Sequence, residues 1–125
     1  VDTACARQRG GGMKPTRPLL LPHHQLAIYG VARQLLQLVG KRPVSDADLR
    51  RQTLRAAQSV VLNIAEGAAL RGAAKKRHYR IAGASAVEVA AAYEVAADSG
   101  DSVPEAEVAA LVGHVYAVMS KLARR

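Results

Sequence analysis

From Tyr79 onward the sequence places Tyr79, Ala82, Ala86, Val89, Tyr93 and Ala96 alternately three and four residues apart, with Arg80, Ser85, Glu88 and Glu94 among the residues between them. No other feature constrains the fold as tightly. A three-four alternation sustained over five turns has a buried stripe only as an α-helix, and the stripe must face another helix. Val108, Leu111, Val115, Val118 and Leu122 repeat the alternation after Ser102 and Pro104, and Ser99-Gly100 separates the two runs. Lys121, Arg124 and Arg125 then sit at the favourable negative end of the last helix.

Two earlier segments follow the same rule. Leu26, Tyr29, Ala32, Leu35, Leu36 and Val39 predict a first helix from His23 to the Gly40 and Pro43 stop. Thr53, Ala57, Val60, Ile64 and Gly67 predict a second from Ser45 to about Leu70, with Ser45 as the cap and Asp46 and Asp48 at the positive end of its dipole. The apolar half of the composition is mainly Ala, Val and Leu, with four Tyr and neither Phe nor Trp, which suits close-packed helices and not a sheet. The expected fold is all-α, an up-down-up-down four-helix bundle over residues 23–125. Residues 1–22, with Gly10-Gly11-Gly12, Pro15, Pro18 and Pro22 among scattered bases, read as a flexible basic tail in which Met13 is a candidate start.

The formal charge is +8, which favours a polyanionic partner such as nucleic acid. Its distribution is uneven. Lys41, Arg42, Arg50, Arg51, Arg55, Arg71, Lys75, Lys76, Arg77 and Arg80 face only Asp46, Asp48 and Glu66 between residues 41 and 80, whereas residues 81–113 hold six acids and no Lys or Arg. The candidate phosphate contacts are Arg50, Arg51, Arg55, Arg71, Lys75, Lys76, Arg77 and Arg80, because each neutralised phosphate releases counterions. The competing reading of such a cluster is a solvated helix end. With so few rings, stacking on single-stranded bases is disfavoured.

Enzyme chemistry finds little support. Glu66 and Glu88 with His78 nearby lack a convincing catalytic spacing, and a structural role is expected instead, with an Arg pairing Glu66 to fix the second helix against the third. Ser59, Asn63, Glu66, Ser85 and Glu88 are accordingly the candidate polar core between those helices. His23-His24 and His114 have no Cys or His partner at zinc spacing, so neither a metal nor a cofactor is expected. The lone Cys5 allows no internal disulfide, which points to a reducing cytoplasm, and Leu19-Leu20-Leu21 is too short for a membrane span, so no membrane partner is expected.

The run Gln52-Thr53-Leu54-Arg55-Ala56-Ala57-Gln58-Ser59-Val60-Val61-Leu62-Asn63-Ile64-Ala65-Glu66-Gly67 continues through Arg71 into Lys76-Arg77-His78-Tyr79-Arg80-Ile81-Ala82-Gly83-Ala84-Ser85-Ala86-Val87-Glu88. Over about residues 23–124 this resembles the four-helix bundle family encoded in intervening sequences of bacterial 23S ribosomal RNA genes. The family pattern runs Gln-Leu-Arg-Arg-Ala-x-x-Ser-Ile-x-x-Asn-Ile-Ala-Glu-Gly, then Arg, then Arg-Phe-x-x-Ile-Ala-x-Gly-Ser-x-x-Glu. The chain departs from it at Thr53-Leu54, at His78 and at Ala84. The resemblance implies a protomer that assembles into a ring, a pentamer, with a basic surface. It also implies likeness in fold to the accessory subunit of diversity-generating retroelements, which associates with a reverse transcriptase and nucleic acid. The expected function is a non-enzymatic, homo-oligomeric nucleic-acid binder. The alternative is a protein-interaction scaffold or accessory subunit with a protein partner and no direct contact to nucleic acid.

Overall fold

The computed structural model describes residues 20–125. A short 3-10 turn at Pro22–Gln25 leads into α1 (Ala27–Lys41), α2 (Ala47–Ala69), α3 (Gly72–Asp98) and α4 (Glu105–Arg124), with no strand among the described residues. Each helix runs antiparallel to the next and the fourth returns beside the first, which closes a four-helix bundle. The pairing of α2 with α3 is the most extensive and that of α3 with α4 follows. The expected tail lies largely outside the described residues, which begin at Leu20.

The core is one cluster. Ile28, Ala32, Leu35 and Val39 of α1 meet Ala57, Val60 and Ile64 of α2, Ala82, Ala86, Val89 and Tyr93 of α3, and Val108, Val115 and Met119 of α4. The α3 stripe is buried throughout, as its alternation requires. On α4 the buried positions are Val108, Val112, Val115, Met119 and Ala123, while Leu111, Val118 and Leu122 are only half-buried and pack against the edge of the core. The stripe therefore sits about one residue further along than the sequence suggests. α4 has the length and mean hydropathy of 1.2 that a bilayer span needs, and those five buried residues face the bundle.

Three boundaries differ from the sequence reading. His23 to Gln25 belong to the 3-10 turn and α1 starts at Ala27, because Leu26 is extended and His24 Nδ1 accepts the Leu21 amide proton, which closes a local turn. α1 passes through Gly40 to Lys41 before Pro43 ends it. Ser45 does not cap α2. Asp46 does, its carboxylate accepting the Leu49 amide at 2.9 Å, while Ser45 gives both its amide and its hydroxyl to Asp101, at 2.7 and 2.8 Å.

That Ser45–Asp101 contact ties the α1–α2 loop to the α3–α4 loop, and the buried Tyr93 hydroxyl adds a second tie by donating to the Arg42 carbonyl at 2.8 Å. Burial raises the Tyr93 pKa, so the phenol stays a donor at neutral pH. The opposite end is closed by a two-residue turn, Leu70-Arg71, after which α3 begins at Gly72 with φ +62°. Few residues other than glycine hold that angle without strain.

Between α2 and α3 the closest approach is at Gly67. A Cβ there would lie 2.6 Å from Cε1 of Tyr79, itself buried, so the glycine is required for the ring to fit. Gly67→Ala is expected to destabilise by about 1–3 kcal/mol, the range for overpacking a core, measured as a lower midpoint in urea. Acid should act at the other end. The Ser45 backbone and hydroxyl hydrogen bonds hold the Asp101 pKa below its ordinary value of 3.8. A carboxylate depressed in the folded state stabilises it above the unfolded pKa and loses that contribution as pH falls through the folded one. Wild type should therefore lose stability faster than Asp101→Asn below about pH 4, as thermal melts across pH will show.

Candidate nucleic-acid interface

The antiparallel course sorts the charges by end. The α2–α3 turn places Arg71, Lys75, Lys76, Arg77 and Arg80 together at one end of the bundle. α4 finishes at the same end, since Gly83 of α3 lies against Met119 and Tyr116, and this adds Lys121, Arg124 and Arg125. The sequence reading assigned those three only to the helix dipole. Their recruitment follows from chain direction in the folded bundle and has no local signal. The single acidic side chain at this end among the described residues is that of Glu66.

Local geometry keeps the cations available. Arg77 and Arg80 are exposed, and Lys76 is half-buried along its stem. The Lys75 ammonium lies over the Tyr79 ring at 5.7 Å from its centroid, a cation–π contact that holds the stem against the helix. α3 starts without a side-chain cap or an acidic residue in its first turn, so its first amides and the positive end of its dipole face the same region. His23, His24 and Tyr29 gather where the chain enters the bundle at this end, with His23 4.2 Å from His24 and 4.5 Å from Tyr29 between ring centroids.

The other predicted contacts lie elsewhere. Arg50, Arg51 and Arg55 belong to the first half of α2, and sixteen residues separate Arg55 from Arg71, about 24 Å along a helix. Arg50 donates to the carbonyls of Val44 and Ser45, and Arg51 pairs with Asp48 on its own helix. Around them stand the acids of the opposite end: Asp46, Asp48, Asp98, Asp101, Glu105 and Glu107. The eight predicted bases are thus two groups, not one face.

The polar residues between α2 and α3 form a ladder with a different membership from the expected one. Ser59 and Ser85 hydroxyls meet at 2.9 Å across the helix pair. The Asn63 amide nitrogen donates to the Ser59 carbonyl and hydroxyl at 2.9 and 3.0 Å, which leaves its oxygen to face His78 Nδ1 at 2.8 Å. Nδ1 therefore carries a proton. Among the described residues Glu66 has no Arg partner. Its side chain is 63% exposed, and its nearest base is His78 Nε2 at 3.8 Å, an ion pair only when the ring is protonated. Glu88 is exposed as well. Both glutamates therefore lie on the rim of the helix pair and outside the polar core, and His78, 18% exposed, takes the place assigned to Glu66.

The ladder leaves no nucleophile beside a base: the serine hydroxyls bond each other and Asn63, and the imidazole bonds Asn63. No group of three or more His, Cys, Asp or Glu is arranged to hold a metal ion among the described residues.

An antiparallel four-helix bundle with one strongly cationic end and one end of mixed charge, where Lys41, Arg42, Arg50, Arg51 and Arg55 stand among six acids, is the class that fold and charge define. The model of the 23S rRNA-intervening sequence protein family matches residues 25–124, and the chain belongs to that family. No curated protein and no solved structure matches it.

Removing the ladder and removing its rim should have unequal costs. Asn63→Ala strands the Nδ1 proton of a largely buried imidazole and should destabilise by about 1–3 kcal/mol. Glu66→Ala removes an exposed carboxylate and should stay within about 0.5 kcal/mol. Urea denaturation of the two variants gives the comparison, and a larger loss for Glu66→Ala would show that its carboxylate is a structural partner.

Proposed function

We propose that the protein binds the phosphate backbone of nucleic acid through the α2–α3 end of its bundle, as a symmetric oligomer. The observation that carries this reading is the meeting of eight cationic side chains, Arg71, Lys75, Lys76, Arg77, Arg80, Lys121, Arg124 and Arg125, with one acidic side chain, Glu66, among the described residues at that end. Such a cluster gains affinity by releasing the counterions condensed on a phosphate chain, and the uncapped α3 terminus adds amide donors. Membership in a family named for an intervening sequence of ribosomal RNA is compatible with an RNA partner. No base-reading motif accompanies the cluster, so recognition rests on backbone charge.

Self-association is supported by apolar side chains that the protomer leaves in water. Leu62 is 61% exposed, Val95 53% and Tyr116 50%, on three different helices. A ring built on such surfaces would bring several basic ends together and multiply their field, in keeping with the pentamer that the family resemblance implies.

Charge substitution at the two ends separates this reading from a scaffold with an incidental basic end. Changing Lys75, Lys76, Arg77 and Arg80 to Gln should weaken binding to a mixed-sequence duplex and to a structured RNA alike. On the duplex it should flatten the slope of log affinity against log salt by up to about 0.9 per lost contact. The Arg50, Arg51 and Arg55 triple variant should leave that slope unchanged. Equal slopes for wild type and the quadruple variant, with helicity retained by circular dichroism, would put the scaffold reading in front. Light scattering should give a mass several times the 13.2 kDa protomer, and a stable monomer at micromolar concentration would count against the oligomer.

A further inference from the structure

The acidic half of the α2–α3 seam holds a groove whose chemistry differs from that of the basic end. It is about 530 Å³ in volume, within the range of small-molecule sites, and runs from Asp48 to Ser59, eleven residues or about 16 Å of helix. Arg51 and Asp48 form one rim and neutralise each other. The remaining charged groups in it are Arg55 on α2 and Glu88 on α3. Arg55 precedes Ser59 by one turn, about 6 Å, and Glu88 follows Ser85 by three residues, about 4.5 Å in the same direction because the helices are antiparallel. With Ser59 and Ser85 in contact, Arg55 and Glu88 stand at about the same level on opposite walls. No ion pair joins them, and among the described residues neither has another charged partner within 4 Å.

The floor supplies a further donor. Two hydroxyl protons are shared between Ser59 and Ser85, and their mutual hydrogen bond uses one. Asn63 donates to Ser59 and so uses a lone pair, not a proton. Whichever serine donates, the other keeps a proton free. Ala56, one turn below, has no bulk to fill the space. Arg55 and the Gln52 amide are donors on the α2 wall, Glu88 is an acceptor on the α3 wall, and the free hydroxyl proton lies at the serine pair where the two walls meet. The lining has no aromatic ring on which a base would stack.

We propose that this groove is a binding site for a small zwitterion, with a carboxylate held by Arg55, Gln52 and the free serine proton and an ammonium group held by Glu88. The ligand class is that of free amino acids and ω-amino acids. Separated charges on one small molecule match separated charges on the two walls, whereas a polyanion would meet Glu88 and Asp48. The site is independent of nucleic-acid binding.

A graded series tests it on the whole chain: β-alanine, 4-aminobutyrate and 6-aminohexanoate, which carry ammonium and carboxylate at increasing separation, with acetate and methylammonium as single-charge controls. Amide resonances of Arg55, Ser59, Ser85 and Glu88 should shift saturably with at least one member of the series. The controls should bind at least tenfold more weakly. Arg55→Gln and Glu88→Gln should each weaken binding tenfold or more while circular dichroism stays unchanged, and the quadruple basic-end variant should bind as wild type does. No saturable shift up to 50 mM would overturn the proposal. Equal binding of acetate would reduce the groove to a plain anion contact and overturn it too. So would a perturbation of the Arg55 side chain by Glu88→Gln without any ligand effect, since that marks a mutual surface ion pair.

Discussion

Everything that distinguishes the two ends of this bundle depends on the register of α2 against α3. Three contacts fix it: Ser59 on Ser85, Asn63 on His78, and Gly67 beneath the Tyr79 ring. The first two are hydrogen bonds whose donors and acceptors would be stranded by a slip. The third is steric, because the only position on α2 that admits the ring is one without a Cβ. A slide of one turn along either helix would put a side chain under Tyr79 and leave half-buried polar groups without partners. Apolar seams rich in Ala and Val tolerate such slides more readily, for one small side chain fills a gap about as well as another. The polar ladder and the glycine supply the specificity that the seam lacks.

With that register set, charge placement follows from connectivity. The bases of residues 71–80 stand at the start of α3 and the acids of residues 88–107 from its middle onward, so an uneven linear sequence becomes a bundle with a dipole along its axis. α4 then carries its own charge pattern in the same sense, acids Glu105 and Glu107 at its start and Lys121 and Arg124 in its last turn. α4 is stabilised by charges that oppose its macrodipole, whereas α3 carries Lys75 and Lys76 near its start and Asp98 at its end, against its own dipole, and the α4 bases join those of α3 because α4 ends where α3 begins. Local helix stabilisation and a collective cationic surface are therefore satisfied by the same residues on α4, while on α3 the cationic surface is built at the expense of the helix dipole.

The helices and the α3 stripe were readable from the sequence because burial on a helix repeats with a fixed period. Tyr79, Ala82, Ala86, Val89, Tyr93 and Ala96 are all buried. What spacing does not carry is the reach of a side chain at the edge of a stripe. Glu66 precedes the buried Gly67 by one residue, about 100° around the helix, and that rotation is enough to put its carboxylate in water beside His78 instead of under an arginine. His78 itself replaces an aromatic of the family pattern and looked like a departure, yet it completes the hydrogen bonding of Asn63. Ser45 and Asp46 are both competent caps. The choice between them was made by Asp101, 56 residues away, which no local pattern reveals. Likewise Arg50 and Arg51 counted as free cations in the sequence, but their hydrogen bonds to nearby carbonyls and to Asp48 occupy them.

The same seam serves two purposes because its hydrogen bonding closes at one half and stays open at the other. Toward the α2–α3 turn, Asn63 links Ser59 to His78, and there the polar atoms are matched across the helices. Toward the acidic end the ladder stops at the serine pair with one hydroxyl proton over, and the next residues across from each other are an arginine and a glutamate that do not touch. Buried polar atoms without partners are costly, but this half of the seam opens to solvent and water meets the demand. The solvated, charge-balanced rim of the groove, Arg55 and Glu88 above the serine pair, contributes nothing to register, which the Ser59–Ser85, Asn63–His78 and Gly67–Tyr79 contacts already hold. Its residues are for that reason free to vary or to bind without endangering the fold, whereas those at the turn are constrained by packing. The structural and the adaptable parts of the α2–α3 interface are thereby separated along the helix axis, and the basic end lies beyond the rigid part, where its geometry is best defined.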